Sequence, residues 1–205
     1  YEFDERMRHV VFAELDRIEM AIRTMLGYRL GSIDPFIYQD VTRLSAYARQ
    51  SNKGSRCNRH AVWVEKFERA VNSSKEDFVE HHRRHYRGDM PIWAAVEIMD
   101  WGMLSYLYDF SPTEVRNDIA DECGLAAPQL ASWLKCLNIV RNYAAHHARM
   151  FNRVFDIKPK LSDDERLQEV AGVSNRSFGQ LSLIQYLHRQ LDLSPANRLP
   201  QLLDV

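Results

Sequence analysis

The chain of 205 residues is poor in features that mark several protein classes, and each shortage excludes one of them. It has only three cysteines, Cys57, Cys123 and Cys136, which are widely spaced and include no Cys-x2-Cys pair. That pattern argues against a disulfide framework and a zinc site, and it favours a reducing cytoplasm. No apolar run approaches the roughly 18 residues of a membrane span, and no secretory signal is recognisable, so we expect a cytoplasmic protein without a membrane partner. Because the sequence starts at Tyr1 and not at methionine, we also expect residues upstream of it.

An excess of charge of either sign is lacking too, because 27 basic residues stand against 28 acidic ones and the net charge is −1. A protein that binds nucleic acid through an overall basic surface is therefore not expected, and any basic surface must be local. Apolar residues make up 45% of the chain and charged residues 27%, which is typical of a globular protein.

Helical periodicity dominates the chain, since apolar residues recur at spacings of three and four and no segment alternates with period two. The pattern predicts long helices over residues 3–30, 91–108 and 128–153, the first of them stopped near Gly27 to Gly31, and a short helix over residues 38–49. It therefore predicts a single all-α helical bundle. We expect residues 1–158 to form its core and residues 159–205 to form a helical extension packed on the same domain. The residues predicted to be buried are Trp93, Met99, Leu104, Trp133, Leu137, Val140 and Phe151.

The segment 141–153 holds the densest chemistry, with three arginines, two histidines and two asparagines. On a continuous helix with about 100° per residue, it would present two opposite stripes. The apolar stripe comprises Trp133, Leu137, Val140, Ala144 and Phe151. The polar stripe comprises Asn142, His146, Arg149 and Arg153. Imidazoles that titrate near neutrality among guanidiniums suited to phosphate indicate phosphodiester chemistry, and the alternative is a solvated helix face.

The spacing of Arg141 and His146 indicates how such a site would be assembled. On a straight helix these two side chains diverge by about 140°. They could hold one phosphate only if the long arginine side chain wrapped around the helix or a second copy faced the first. We therefore expect a homodimer whose two motif helices face each other across a two-fold axis.

These residues carry a resemblance to a known family. The pattern over residues 141–153, Arg-Asn-x2-Ala-His-His-x-Arg-x2-Asn-Arg, resembles the signature of the Abi-like proteins, an abortive-infection, phage-resistance family of the HEPN superfamily of helical ribonucleases. Further matching landmarks are Tyr1-x-Phe3-Asp4-x2-Met7-Arg8, Ile18-Glu19-x3-Arg23-Thr24, Tyr86, Pro91-x-Trp93-x3-Glu97 and Ser132-Trp133-Leu134. The resemblance covers residues 1–153.

The resemblance implies an HEPN-like fold and a metal-independent endoribonuclease without a cofactor. The HEPN motif Arg-x4-6-His falls on Arg141 and His146, with Asn142 as the polar residue after the arginine and His147 as a weaker candidate. A histidine can act as base toward a ribose 2′-OH or as acid toward the leaving oxygen, and an arginine can stabilise the charge on the phosphoryl oxygens. The residues expected to contact RNA in this segment are Arg149, Asn152 and Arg153. The expected partner is RNA, as substrate or as a regulatory noncoding RNA.

A second cluster, residues 81–87, contains three histidines and three arginines before a glycine. One interpretation is a solvated helix end, where cations complement the helix dipole. The other is a grip on the RNA backbone, with Tyr86 and a histidine stacking on unpaired bases. The RNA-binding candidates here are His82, Arg83, Arg84 and Arg87. Residues that could extend the surface are Arg43, Arg49, Lys53, Arg56 and Arg59.

Two other interpretations were weighed. A nonenzymatic RNA-binding module would use the same cations without cleavage. Residues 119–134 have helix-turn-helix spacing, which would suit a DNA regulator, but Trp133 and Leu134 favour a corner inside a bundle. The histidine clusters lack carboxylate or cysteine partners at ligand spacing, so no metal is expected.

Overall fold

The computed structural model describes residues 2–51, 54, 56–161, 163–193 and 198–200. Every regular secondary-structure element within these residues is helical. The predicted all-α fold is confirmed. The helices are α1 (Glu2–Ile33), α2 (Ala46–Arg49), α3 (Arg59–Ser73), α4 (Asp77–His85), α5 (Ile92–Ile98), α6 (Trp101–Phe110), α7 (Thr113–Glu122), α8 (Ala127–Ala145), α9 (Glu165–Gln168) and α10 (Ser177–Gln190). Of the residues singled out above, Tyr1 and Lys53 lie outside the described residues.

The chain divides into two compact units. The first unit comprises residues 1–21 and 118–205, and the second comprises residues 22–117. Within the first unit, α10 packs against α8. These divisions fall inside α1 and α7, so the division expected after residue 158 stays a prediction.

Helix α1 supplies core side chains at spacings of three and four residues. Met7, Val11, Leu15 and Ile18 are buried in the first unit, and Ile22, Leu26 and Leu30 are buried in the second. Gly27 and Gly31 were expected to end this helix near residue 30, but it continues to Ile33. The glycine at position 31 serves close packing inside the helix, because a β-carbon there would lie 3.0 Å from Cε3 of Trp93 in α5.

The helix predicted over residues 91–108 is broken into α5 and α6. Met99 is extended, and the guanidinium of Arg23 donates to the carbonyls of Val96 and Met99 at 2.5 and 2.9 Å, which satisfies the free end of α5. Asp100 then caps α6 by accepting the N–H of Met103 at 2.8 Å. A buried arginine and an aspartate cap thus replace the expected continuous helix.

Most of the predicted core is confirmed, since Met99, Leu104, Trp133, Leu137 and Val140 are all buried. The indole N–H of Trp133 donates to the Lys160 carbonyl at 2.7 Å, and its ring packs edge-on against Tyr186. Two predictions were wrong, because Trp93 is 54% exposed and Phe151 is 51% exposed. Phe151 lies beyond the end of α8, and Trp93 lies in a groove beside Gly31.

Other segments follow the sequence pattern with shorter helices. Residues 38–49, expected as one short helix, form a 3-10 turn at Ile37–Gln39 and the single turn of α2. The Asp40 side chain accepts the backbone N–H of Thr42 at 2.9 Å, and this local turn competes with helix formation. Within the described part of the chain, no helix combines the length and apolar character that crossing a membrane requires.

Candidate functional site

Helix α8 ends inside the motif, at Ala145. His147 adopts a left-handed conformation with φ of +55°, and the N–H of Ala148 donates to the Tyr143 carbonyl at 3.0 Å. This is the hydrogen bond of a Schellman helix end, in which glycine is the usual residue at the left-handed position. The predicted polar stripe on a continuous helix is therefore wrong, because Arg149 and Arg153 lie in the loop after α8 rather than on its surface.

Asp4, in the first turn of α1, anchors this loop. Its carboxylate accepts the backbone N–H groups of Met150 and Phe151 at 2.9 and 2.6 Å, and it also pairs with Arg8. Burial raises the pKa of Asp4, but the two N–H groups, Arg8 and Arg149 outweigh burial and hold the pKa below its usual value. Asp4 is thus an ionised structural anchor and not a proton acceptor at neutral pH.

The same loop is held from its other side by Ser177 at the start of α10. The Ser177 hydroxyl donates to the Met150 carbonyl and accepts the N–H of Arg153 at 3.1 Å. The backbone N–H of Ser177 donates to the Arg153 carbonyl, also at 3.1 Å. These bonds explain why the helix stops without glycine or proline: the backbone groups of the loop are satisfied by α1 and α10 instead.

The anchored loop and α1 enclose a cleft of about 960 Å³ in the first unit. Its lining comprises Phe3, Asp4, Glu5, Arg8, His147, Arg149 and Phe151. We call this the motif cleft. Phe3 and Phe151 pack edge to face, with ring centroids 5.5 Å apart. The cleft combines one imidazole, two guanidiniums and two carboxylates, which is a set able to bind a phosphodiester and to move a proton.

Arg141 lies in α8, about one turn before the end of that helix. Its Nε is 4.0 Å from Oε2 of Glu19, and its guanidinium carbon is 5.3 Å from the ring centroid of Phe12. At about 100° per residue, Asp4, Arg8, Phe12 and Glu19 share one face of α1 within about 80°. Arg141 and the motif cleft therefore lie along one face of α1, although Arg141 is not part of the cleft lining.

The remaining motif residues are dispersed. His146 and Asn142 are exposed, and the Asn142 carbonyl accepts the N–H of His146 at 3.0 Å. Arg153 donates to the Tyr143 hydroxyl at 2.8 Å and lies over that ring. Asn152 lines a smaller neighbouring cleft of about 330 Å³ with Phe178. Of the predicted site residues in this segment, the structure brings only His147 and Arg149 together.

Sequence reasoning did not place Asp4, Glu5 and Arg8 in the site, although all three line the motif cleft. The signal was available in part, because Asp4 and Arg8 belong to the Tyr-x-Phe-Asp-x2-Met-Arg landmark. Periodicity alone assigned that landmark to a helix. It could not show that this helix meets the loop after α8.

In the second cluster, local partners engage part of the basic charge. Arg84 and Arg83 pair with Glu80 at 2.8 and 3.4 Å, and Arg83 also donates to the Val71 carbonyl at 2.5 Å. His82 and Arg87 instead line a second cleft of about 770 Å³, in which Trp93 is also exposed. The four predicted RNA-binding residues of this cluster therefore fall into two pairs. Arg83 and Arg84 pair with Glu80, whereas His82 and Arg87 line the second cleft.

Three of the cations expected to extend that surface, Arg43, Arg49 and Arg59, also have local partners. Arg43 pairs with Asp34 at 2.6 Å. Arg49 donates to the Leu44 carbonyl at 2.9 Å, and Arg59 lies 4.1 Å from the Tyr47 ring centroid. These three residues stabilise their own segments of the second unit.

Cysteine and metal chemistry were tested separately. Burial raises the pKa of Cys123 to about 12 and that of Cys136 to about 11, so neither is a thiolate at neutral pH. Within the described ranges, no group of three or more His, Cys, Asp or Glu side chains is placed to hold a metal ion.

The corner between α7 and α8 contains Gly124, which has φ of +64°. The side chains that follow it in α8 point inward, since Leu130, Trp133, Leu134 and Leu137 are buried. A helix buried in this way cannot present those residues to a DNA groove, which disfavours the helix-turn-helix interpretation.

Comparison with known protein families identifies a match over residues 1–152 to the family described as Abi-like protein. Comparison with curated proteins and with solved structures gives no match. The matched region contains every residue that lines the motif cleft.

Proposed function

This chain belongs to the Abi-like protein family, and from that premise we propose that it is a metal-independent endoribonuclease of the abortive-infection type, acting on RNA in the cytoplasm. One observation carries the proposal. The motif cleft joins the two ends of the matched region, with Asp4 and Arg8 from its beginning and His147 and Arg149 from its end. Residues separated by more than a hundred positions thus converge on one cleft whose chemistry suits a phosphodiester.

The proposed reaction is attack by the ribose 2′-OH on the neighbouring phosphorus. The 2′-oxygen forms a bond to phosphorus and loses its proton to a base, while the bond to the 5′-oxygen breaks and that oxygen receives a proton. The products are a 2′,3′-cyclic phosphate and a 5′-hydroxyl. An imidazole can perform either proton transfer at neutral pH. The guanidinium of Arg149 can stabilise the charge on the phosphoryl oxygens, and that of Arg8, which pairs with Asp4, lies in the same cleft.

We assign the imidazole in the cleft to His147. His146 was the leading candidate from sequence, but His147 lines the motif cleft and His146 does not. Both histidines fit the spacing of Arg-x4-6-His, since five residues separate Arg141 from His147. The left-handed backbone of His147 costs roughly 1–2 kcal/mol, and strain at a non-glycine residue is a frequent property of functional positions.

A homodimer is part of the proposal, on different grounds from the angular argument. A straight helix through residue 153 was assumed for the angle between Arg141 and His146, whereas α8 ends at Ala145. What supports a second copy is the position of Arg141, whose side chain is 32% exposed and lies outside the cleft that holds His147. Mixing inactive Arg141→Ala and His147→Asn proteins should restore part of the activity if subunits share sites. A sedimentation measurement showing an active monomer contradicts the dimer.

The test of the function is cleavage of an end-labelled RNA in excess EDTA. We expect cleavage with 2′,3′-cyclic phosphate ends, and no cleavage of the same strand with 2′-deoxy nucleotides. The His147→Asn protein, purified identically, controls for contaminating nucleases. Intact RNA, or cleavage that EDTA abolishes, contradicts the proposal.

The second candidate function is an RNA-binding protein that does not cleave. It is favoured by the ion pairs of Arg8 with Asp4 and of Arg141 with Glu19, which engage two of the cations that a nuclease would direct at phosphate. Tight, salt-sensitive binding of intact RNA in the same assay supports this candidate.

A further inference from the structure

The second cleft, in the unit formed by residues 22–117, has a different composition from the motif cleft. Aromatic and imidazole rings dominate its lining, with Phe36, His81, His85, Tyr86 and Trp93 beside Arg87. We call it the aromatic cleft. Its volume of about 770 Å³ lies within the range of small-molecule sites.

Trp93 is held in place in this cleft while remaining open to solvent. Its ring lies against α1 at Gly31, where a β-carbon would be 3.0 Å from Cε3 and 3.4 Å from Cζ3. The ring is nevertheless 54% exposed, whereas Trp63, Trp101 and Trp133 are buried. A glycine inside a helix costs about 0.5–1 kcal/mol relative to alanine, so the fold gives up helix stability where the indole approaches.

The other wall of the cleft is a continuous surface of rings at the end of α4. The ring centroids of His81 and His85 are 4.7 Å apart, and that of Tyr86 is 5.7 Å from His81 and 5.5 Å from His82. Tyr86 is 55% exposed. Two exposed aromatic surfaces, Trp93 and Tyr86, therefore belong to one cleft.

The segment that carries Phe36 is fixed to the start of α5, which carries Trp93. The N–H of Ile92 donates to the Pro35 carbonyl at 2.7 Å, and the hydroxyl of buried Tyr38 donates to the Met90 carbonyl at 2.7 Å. The segment with Phe36 is thereby joined to the segment preceding Trp93. Because this part of the cleft is already formed, binding of a ligand would lose little conformational entropy by ordering it.

The charged residues that line the cleft are Arg87 and Asp89, and a guanidinium beside exposed rings suits a ligand that carries both a flat ring and a phosphate. Arg87 is exposed and stands outside the pairing of Arg83 and Arg84 with Glu80. We infer that the aromatic cleft binds an unpaired base of single-stranded RNA, with Trp93 and Tyr86 stacking on bases and Arg87 contacting the adjoining phosphate. This inference rests on the proposed function only in taking RNA as the ligand.

The test uses a probe that the proposed reaction cannot cleave, a 2′-O-methyl oligoadenylate. Because the other tryptophans are buried, stacking should quench the fluorescence of Trp93. An abasic oligomer of the same length and charge should neither quench it nor bind comparably. Equal binding of the two oligomers would show a phosphate surface only, and it would overturn the inference.

Variants locate the binding site. Trp93→Leu should weaken binding of the labelled oligoadenylate by about 5- to 150-fold, which is the usual range for losing one base–aromatic stack. Trp93→Phe should retain most of the affinity. Tyr28→Leu is the matched control, because Tyr28 is a 72% exposed aromatic residue of the same unit that does not line the cleft.

Wild-type affinity in Trp93→Leu overturns the inference. If that variant fails to fold, Tyr86→Leu tests the other wall of the same cleft, and binding unchanged by it also overturns the inference. If the protein does not cleave RNA but still binds the oligoadenylate more tightly than the abasic oligomer, only the proposed function is refuted. Cleavage without base-dependent binding refutes this inference alone.

Discussion

The two clefts of this protein, one proposed for proton transfer and the other for binding a base, hold their side chains in different ways. In the motif cleft, charged side chains are fixed by backbone hydrogen bonds, as Asp4 is by Met150 and Phe151. In the aromatic cleft, rings are fixed by packing, as Trp93 is against Gly31. Proton transfer requires that the donor and acceptor atoms lie within hydrogen-bond distance, whereas the stacking of a base on an aromatic ring tolerates small displacements of the ring. The two clefts should therefore respond differently to substitution.

The largest expected effect separates chemistry from binding. His147→Asn removes the imidazole but keeps a residue that tolerates the left-handed backbone. Loss of a general acid or base typically reduces the rate about 10²- to 10⁴-fold, so single-turnover cleavage should fall by that amount. Quenching of Trp93 by the oligoadenylate should not change.

The matched control for His147→Asn is His146→Asn, one position earlier and outside the motif cleft. It should retain far more activity. The opposite result, an active His147→Asn protein and an inactive His146→Asn protein, would return the catalytic role to His146. Circular dichroism identical to that of the wild type is required of both variants.

A smaller effect is expected for stability at the anchor of the motif cleft. Asp4 accepts two backbone N–H bonds and its side chain is only 17% exposed. Asp4→Ala should lower the free energy of unfolding by about 1 to 3 kcal/mol, measured by urea denaturation. Asp4→Asn, which keeps one acceptor oxygen, should lower it less. A variant as stable as the wild type would contradict the anchoring role.

The same carboxylate gives a pH dependence with a defined sign. The pKa of Asp4 is lower in the folded protein than its ordinary value of 3.8, so folding favours the ionised form. Its contribution is complete above about pH 4 and is lost as the pH falls through the lowered pKa. The stability difference between wild type and Asp4→Asn should therefore shrink only under acid conditions. A difference that shrinks above pH 5 would assign the effect to another group.

The smallest effect is expected at Gly31. A β-carbon there would press on Trp93, while alanine gains about 1 kcal/mol in helix propensity, so Gly31→Ala should change stability little. Its effect should appear as a few-fold weaker binding of the oligoadenylate, because the indole is displaced. Gly27→Ala is the control and should bind normally, because its β-carbon would be 3.3 Å from Val96 and would meet Trp93 only at Cα and Cβ, at the ordinary contact distances of 3.5 and 3.9 Å, and not at the indole ring. Equal affinities of the two variants would show that the position of Trp93 is not limiting.

The fold was predictable where burial follows helical periodicity. Leu15, Ile18 and Leu26 of α1 and Trp133 and Leu137 of α8 repeat at helical spacing, and all are buried. The ends of helices could not be predicted from local sequence where tertiary contacts determine them. Gly31 suggested a helix end but serves the approach of α5, and nothing around Ala145 announces that α8 stops there.

The candidate site was predictable in its residue types but not in its geometry. The histidines and arginines of residues 141–153 were singled out from sequence, yet the structure gathers only His147 and Arg149 into the cleft. The decisive contacts, from Asp4 and Ser177 to the loop, join positions far apart in the chain. No periodic pattern encodes such long-range hydrogen bonds.

The anchoring of the loop by Asp4 has a consequence for proteolysis. The first turn of α1 and the loop at residues 150–151 are joined by two hydrogen bonds to one carboxylate. Cleavage of the chain within the first turn of α1 would leave all of residues 141–153 intact and yet remove the support of their loop from α1, so that only the bonds from Ser177 would still hold it. If the motif cleft is the site of the proposed activity, a protease acting there would lower that activity without touching an arginine or histidine of the motif.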